Sequence, residues 1–171
     1  MSLQPKNNNV KSQRGGLLVE IVVVVGIIVG ALVAILGLAT AFLVTSQIVQ
    51  QTSQATALAQ EGLEIVRNVR DGTIWTAVDG LGQVAFAPSL YHPEQSGSPP
   101  KWILVSGSET IGEFTRQIQF ARVYRDGSAN IVAAPGTLDS DTVKATAKVS
   151  WQERERSHEV ELAAYFTNWN Q

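Results

Sequence analysis

Arg14-Gly15-Gly16-Leu17-Leu18-Val19-Glu20-Ile21, running directly into Val22-Val23-Val24-Val25, is the stretch on which the reading of this chain turns. From Leu17 to Val44 there are 28 residues whose only ionisable side chain is Glu20, and about 20 predominantly apolar residues are enough for a helix to cross a bilayer. A carboxylate at the centre of a membrane helix costs roughly 2.5–3.5 kcal/mol on insertion scales, so the position of Glu20 needs a physical reason. One reason is bland: near the start of the helix, exposed N–H groups and the nearby headgroups make an acid tolerable. The other is that Glu20 pairs with a cation made by processing, the α-amino group released at Gly16 by cleavage after Gly15. The spacing favours the second reading, and the Gly15-Gly16 doublet, lacking side chains, lets an extended backbone enter a protease site. A cleaved secretory signal also begins basic and continues apolar, and Ala39-Thr40-Ala41 supplies a small-residue cleavage pattern. Its apolar region, however, is only about 7–15 residues long.

Toward the N-terminus, Lys6, Lys11 and Arg14 precede any acid, whereas the chain after Gly15 carries 10 basic and 15 acidic side chains. Positive charge before the span places residues 1–15 in the cytoplasm and everything after about residue 45 outside it. From residue 72 onward there are 8 basic and 11 acidic residues with no dense Lys/Arg patch, which disfavours nucleic-acid binding. The absence of cysteine excludes a disulfide scaffold, a thiolate nucleophile and a cysteine zinc site. A chain of 171 residues has room for one well-buried domain and an appendage.

The junction resembles the class III leader of type IV pilins and pseudopilins. It has a basic leader, a glycine before the cut, an apolar start, a glutamate fifth in the mature chain and an uninterrupted apolar helix. The resemblance implies cleavage between Gly15 and Gly16 by a prepilin peptidase on the cytoplasmic face, N-methylation of Gly16, and assembly governed by Glu20. It also implies other pilin subunits and an inner-membrane assembly platform as partners. A cut after Gly16 would leave Glu20 fourth, so the register selects the earlier bond. The chain departs from the many family members whose mature form begins with phenylalanine.

Beyond the span, Gln47 to Asp71 contains no proline and is rich in Gln, Ala, Leu, Val, Glu and Arg, so the helix is expected to continue. Ile48, Ala55, Leu58, Gly62, Ile65 and Val69 fall on one apolar stripe, with Gln51, Gln54, Glu61, Glu64 and Arg67 mostly elsewhere. Arg67 and Arg70 suit a last turn, and Gly72 a left-handed terminator. Residues 16–71 would make a helix of roughly 80 Å at about 1.5 Å per residue. Gly26, Gly30 and Ala34 lay small residues along one face where helices could approach closely; glycine is also simply commoner in membrane helices, and both readings stand. Gly37 occupies the place where many major pilins have a kinking proline. Residues 57–71, followed by Trp75, resemble the stalk end of minor pilins of the PilV or pseudopilin I type.

Thr73 to Pro100 is rich in Gly, Pro and Ser and reads mainly as a surface connection. Strand patterns follow at 101–105, 113–124, 130–133, 141–152 and 157–166, with Asp126-Gly127 as a hairpin turn between the second and third. Val143, Ala145, Ala147, Val149 and Trp151 alternate with polar residues, as do Val160, Leu162, Ala164 and Phe166. An antiparallel sheet packed on the helix buries both stripes, giving an α+β fold. The organisation expected is a basic leader (1–15), a transmembrane and polymerisation helix (16–45), an amphipathic helix (46–72) and an antiparallel β-domain (73–171).

No pattern of catalytic chemistry emerges: there is no G-x-S-x-G, no phosphate-binding glycine loop and no convincing carboxylate pair. His92 and His158 lack metal-ligand spacing and read as surface residues. Asp139-Ser140-Asp141 and the run from Asp126 to Asn130 are better explained by turns than by calcium. Glu153-Arg154-Glu155-Arg156 reads as a solvated hairpin. The chain is therefore expected to be a non-enzymatic subunit without cofactor or metal, a minor pilin of a cell-surface filament. A pseudopilin of a type II secretion system has the same junction chemistry. An unprocessed single-pass anchor whose outer domain binds a ligand such as a glycan is a third reading, of another class.

Overall fold

No proline lies between Lys11 and Gly72, and the helix α1 runs unbroken over Lys11–Gly72. The structure, a computed structural model, describes residues 11–153 and 155–169, with side chains from Gly16 onward. The leader residues before Lys11, including Lys6, and Arg154 in the charged turn lie outside the described residues. Two compact units divide the chain, Met1–Ile48 and Val49–Gln171.

In the first unit the helix begins before Gly16 rather than at it, because Lys11 to Arg14 contain nothing that stops a helix. Gly26, Gly30 and Gly37 do not interrupt it. Thr40 donates its hydroxyl to the Gly37 carbonyl at 2.9 Å and Thr45 to that of Ala41 at 3.0 Å. Both hydroxyls are thus satisfied by the helix itself, as an apolar surrounding demands.

In the second unit the helix from Val49 to Gly72 packs on a seven-stranded antiparallel sheet. The strands are β1 (Leu90–Ser96), β2 (Lys101–Ser106), β3 (Glu109–Ile111), β4 (Phe114–Arg125), β5 (Ile131–Val132), β6 (Thr137–Glu153) and β7 (Arg156–Thr167). Their order is β2-β1-β4-β6-β7, and β3 and β5 pair with β4 as well. One face of β4 and β6 is buried by alternation: Phe114, Ile118 and Phe120 on β4, and Val143, Ala145, Ala147, Val149 and Trp151 on β6. On the edge strand β7 only Phe166 is fully buried, while Val160, Leu162 and Ala164 are half-covered.

The helix meets this face through Ala55, Ala59, Gly62, Val66 and Val69, with Ile65 beside them. Ala59 and Val66 belong to this contact, and Leu58 is only half-buried, which corrects the stripe expected from spacing. The reason is closeness: small residues on the helix face Ala145 and Ala147 on the sheet. A Cβ at Gly62 would lie 3.4 Å from Arg116 Cδ and 3.7 Å from Ala147 Cβ. Gln51 also turns inward, its amide oxygen accepting from Trp151 Nε1 at 3.1 Å.

Several local expectations change. Gly72 is the last helical residue and does not take a left-handed conformation. Arg67 lies a turn earlier than expected and pairs with Glu64 at 2.9 Å, leaving Arg70 as the base of the last turn. The segment 73–100 is more than a surface connection, since Trp75 and Leu81 are buried, Leu81–Gln83 form a 3-10 turn and β1 is a strand. Pro93 is tolerated because β1 pairs with β4 only through Leu90 and Tyr91, leaving the rest of that edge unpaired. In the β4–β5 turn the left-handed residue is Ala129, at φ 64°, rather than Gly127. A bulge between Arg122 and Val123 shifts the β4–β6 register and brings Val123 inward after Phe120.

Gly62→Ala is expected to raise stability by up to about 1 kcal/mol, because alanine is the better helix former and the new methyl makes ordinary contacts. Gly62→Leu is expected to lower it by roughly 1–3 kcal/mol through overpacking. Urea unfolding of the two variants checks both signs; equal stability of the leucine variant would refute the close approach.

Candidate functional site

The apolar segment is the first candidate. Every residue from Gly16 to Thr40 is exposed in the chain, and the helix is long and apolar enough to cross a membrane. Soluble monomers rarely leave contiguous apolar patches beyond a few hundred Å2 uncovered. Removing a large aliphatic side chain from water contributes about 1.5–3 kcal/mol, and leucines, isoleucines and valines fill most positions from Leu17 to Val33. Their sum far exceeds the roughly 2.5–3.5 kcal/mol that Glu20 would cost even at mid-bilayer. Insertion is therefore compatible with the acid.

Glu20 is exposed and sits four residues after Gly16, about 6 Å along the axis and nearly on the same face. Gly15 lies inside the helix. Gly26, Gly30 and Ala34 follow one another at four-residue steps on a face that drifts by about 40° per step. Among the described residues nothing comes within 4 Å of a side chain built at Gly26 or Gly30. The structure thus brings Gly16 and Glu20 to one turn of helix and leaves the small-residue face uncovered.

In the sheet domain the residue that spacing arguments overlooked is Arg116, which is 3% exposed. Its Nε donates to Glu109 at 2.7 Å, and one terminal nitrogen donates to the Leu58 carbonyl at 3.0 Å and lies 3.2 Å from Glu61. It therefore ties β4 both to its neighbour β3, where Glu109 is its cross-strand partner, and to the helix. The signal was present, since Arg116 holds an inward position in the alternation of Phe114, Ile118 and Phe120. A buried charge is held only where it is paired and hydrogen-bonded.

The two histidines are less open than expected. His158 stacks on Trp151 with ring centres 5.3 Å apart and lies 3.5 Å from a Glu153 oxygen. His92 has a buried Nδ1 without a hydrogen-bond partner among the described residues.

Both aspartate clusters are used by the backbone. Asp126 accepts from the N–H groups of Ser128 at 2.8 Å and Asn130 at 2.9 Å, and from the Asn130 side chain at 3.1 Å. The Asn130 side chain first, and then these N–H groups, hold its carboxyl below the usual range. Burial would push Asp139 up, but hydrogen bonds from Arg125, Thr142 and the Asp141 N–H outweigh it and hold this carboxyl low as well.

Compared with known proteins, the chain matches no family model, no curated protein and no solved structure.

Arg116→Met keeps the length of the side chain but leaves Glu109 and the Leu58 carbonyl without a donor; the expected loss is about 1.5–3 kcal/mol. Glu61→Gln, at a carboxylate more than half exposed, is expected to cost under about 1 kcal/mol. Comparable losses for the two in urea unfolding would refute the assignment of Arg116 as the anchor.

A group whose carboxyl is held low in the folded state contributes stability above its unfolded pKa, about 3.9 for Asp, and loses it as pH falls through the folded value. Thermal unfolding of the sheet domain is thus expected to be level down to about pH 4 and to shift to lower temperature below it. Asp139→Asn should flatten part of that acid limb. A limb unchanged by the substitution would show that the Arg125–Asp139 pair contributes nothing to it.

Proposed function

We propose that the chain is a structural, non-enzymatic subunit of a type IV pilus-like filament, a minor pilin processed between Gly15 and Gly16 and assembled through its N-terminal helix. The observation that carries this reading is the apolar helix itself. It is uncovered on every side, and its one carboxylate stands a turn after the glycine junction. A long apolar N-terminal helix with an antiparallel sheet packed on its later part is also the layout of pilins.

In this reading, a subunit waiting in the membrane keeps residues 1–15 in the cytoplasm and the sheet domain outside. Cleavage by the prepilin peptidase removes the basic leader and creates a cationic terminus at Gly16, where methylation would preserve the charge. Within a filament core, the same or an adjacent helix's terminus neutralises Glu20. Where the terminus belongs to an adjacent helix, only one axial stagger brings the two charges together, and the pair then sets subunit register. The face of Gly26, Gly30 and Ala34 lets helices approach. A type II secretion filament would use the same steps, and the polar outer domain is indifferent to that choice.

Mass spectrometry of assembled material is expected to show a chain beginning at Gly16, one methyl heavier; an intact leader would refute the processing. Glu20→Gln should insert into membranes at least as well as the parent and be cleaved normally, yet fall severalfold in sheared filaments relative to membranes. Glu20→Asp should fall between the two. Equal incorporation of the Gln variant would reduce Glu20 to a tolerated interfacial acid.

A further inference from the structure

Where the last turn of α1 meets the end of β7, the outer domain forms a cavity of about 300 Å3. Arg70, Asp71, Thr73, Trp75, Asn168 and Trp169 supply its charged, aromatic and principal hydrogen-bonding groups. These groups are held in place. Arg70 lies over the Phe166 ring, 5.7 Å from its centre, and donates through Nε to Asp71 at 2.7 Å. Trp169 lines the same cavity as Asp71, with its indole 67% exposed. Asn168 is fixed by its backbone N–H, which donates to the Asp141 carbonyl at 2.7 Å. Trp75 is buried with its indole edge against Gly82, where a Cβ would fall 2.6 Å from the ring. Thr73 Oγ1 is buried with no hydrogen-bond partner among the described residues.

The chemistry of this lining selects its ligand. Arg70 and Asp71 compensate one another, so a cation meets the guanidinium and an anion meets the carboxylate; neither is favoured. A neutral molecule with hydroxyls around its edge and C–H groups on one face suits every component. The indole accepts the apolar face, the carboxylate takes hydroxyl protons, and guanidinium and amide donate to ring and hydroxyl oxygens. The volume stands at the lower end of ordinary ligand sites, about 300–1,000 Å3, which fits a single sugar ring rather than an extended oligosaccharide.

We infer that this cavity binds one pyranose unit, such as the terminal residue of a glycan, stacked on Trp169 and hydrogen-bonded by Asp71, Arg70 and Asn168. The site is built entirely within the outer domain and does not depend on the filament reading.

The test is saturation-transfer NMR on the full chain in phosphatidylcholine nanodiscs free of sugar-bearing detergent. The probes are the methyl glycosides of glucose, galactose, mannose and N-acetylglucosamine, with tetramethylammonium and acetate as charged probes. Transfer to the ring protons of at least one glycoside is expected. Trp169→Ala should weaken that binding about tenfold or more, and Asn168→Ala severalfold. Unchanged circular dichroism in both variants would assign the loss to the site. Trp169→Phe should retain part of the binding. Transfer to none of the glycosides, transfer only to a charged probe, or a glycoside signal that survives Trp169→Ala would each overturn the assignment.

Discussion

The close approach of α1 to β6 is the constraint from which the rest of the sheet domain follows. It requires Ala55, Ala59 and Gly62 on the helix and Ala145 and Ala147 on the strand. Ile118 and Phe120 fill the core beside this contact, while Phe114 and Trp151 close one end and Val69 and Phe166 the other. Small residues facing one another remove little area each, but they let the backbones come near enough for the flanking aromatics to reach across. The half-burial of Leu58 and Leu63 is a result of the same geometry.

Arg116 shows what that closeness demands in return. An inward cation on β4 sits under the helix only 3% exposed, so its donors are best met by the protein. They are met by a helix carbonyl, by Glu109 on the adjoining strand and by Glu61 above. A longer apolar residue would fill the space without linking three elements. This ion pair therefore contributes to specifying how β3, β4 and the helix sit together, a role distinct from its net contribution to stability.

What the sequence revealed depended on how local the deciding interactions were. The helix and the inward alternation on β6 are each expressed within a few residues of one another, so spacing alone exposes them. β1 was hidden because Pro93 and the Gly/Ser-rich run after it resemble a loop; what makes the segment a strand is its pairing with β2. The stripe on α1 was shifted because spacing registers hydrophobicity, whereas the sheet selects for smallness. The cavity lined by Asp71 and Trp169 joins residues from opposite ends of the domain sequence, and no periodicity links them.

The order of contacts along the helix has a mechanical consequence. Gln51 meets Trp151, Gly62 meets Ala147, and Arg70 meets Phe166 near the far end of the adjacent strand. A load applied along the helix axis must shear these contacts together. A load applied across the axis at Val69 can peel them one after another. The domain is thus built to resist tension along its helix far better than lateral detachment, and forced-unfolding rates should depend on the direction of pull more than on overall stability.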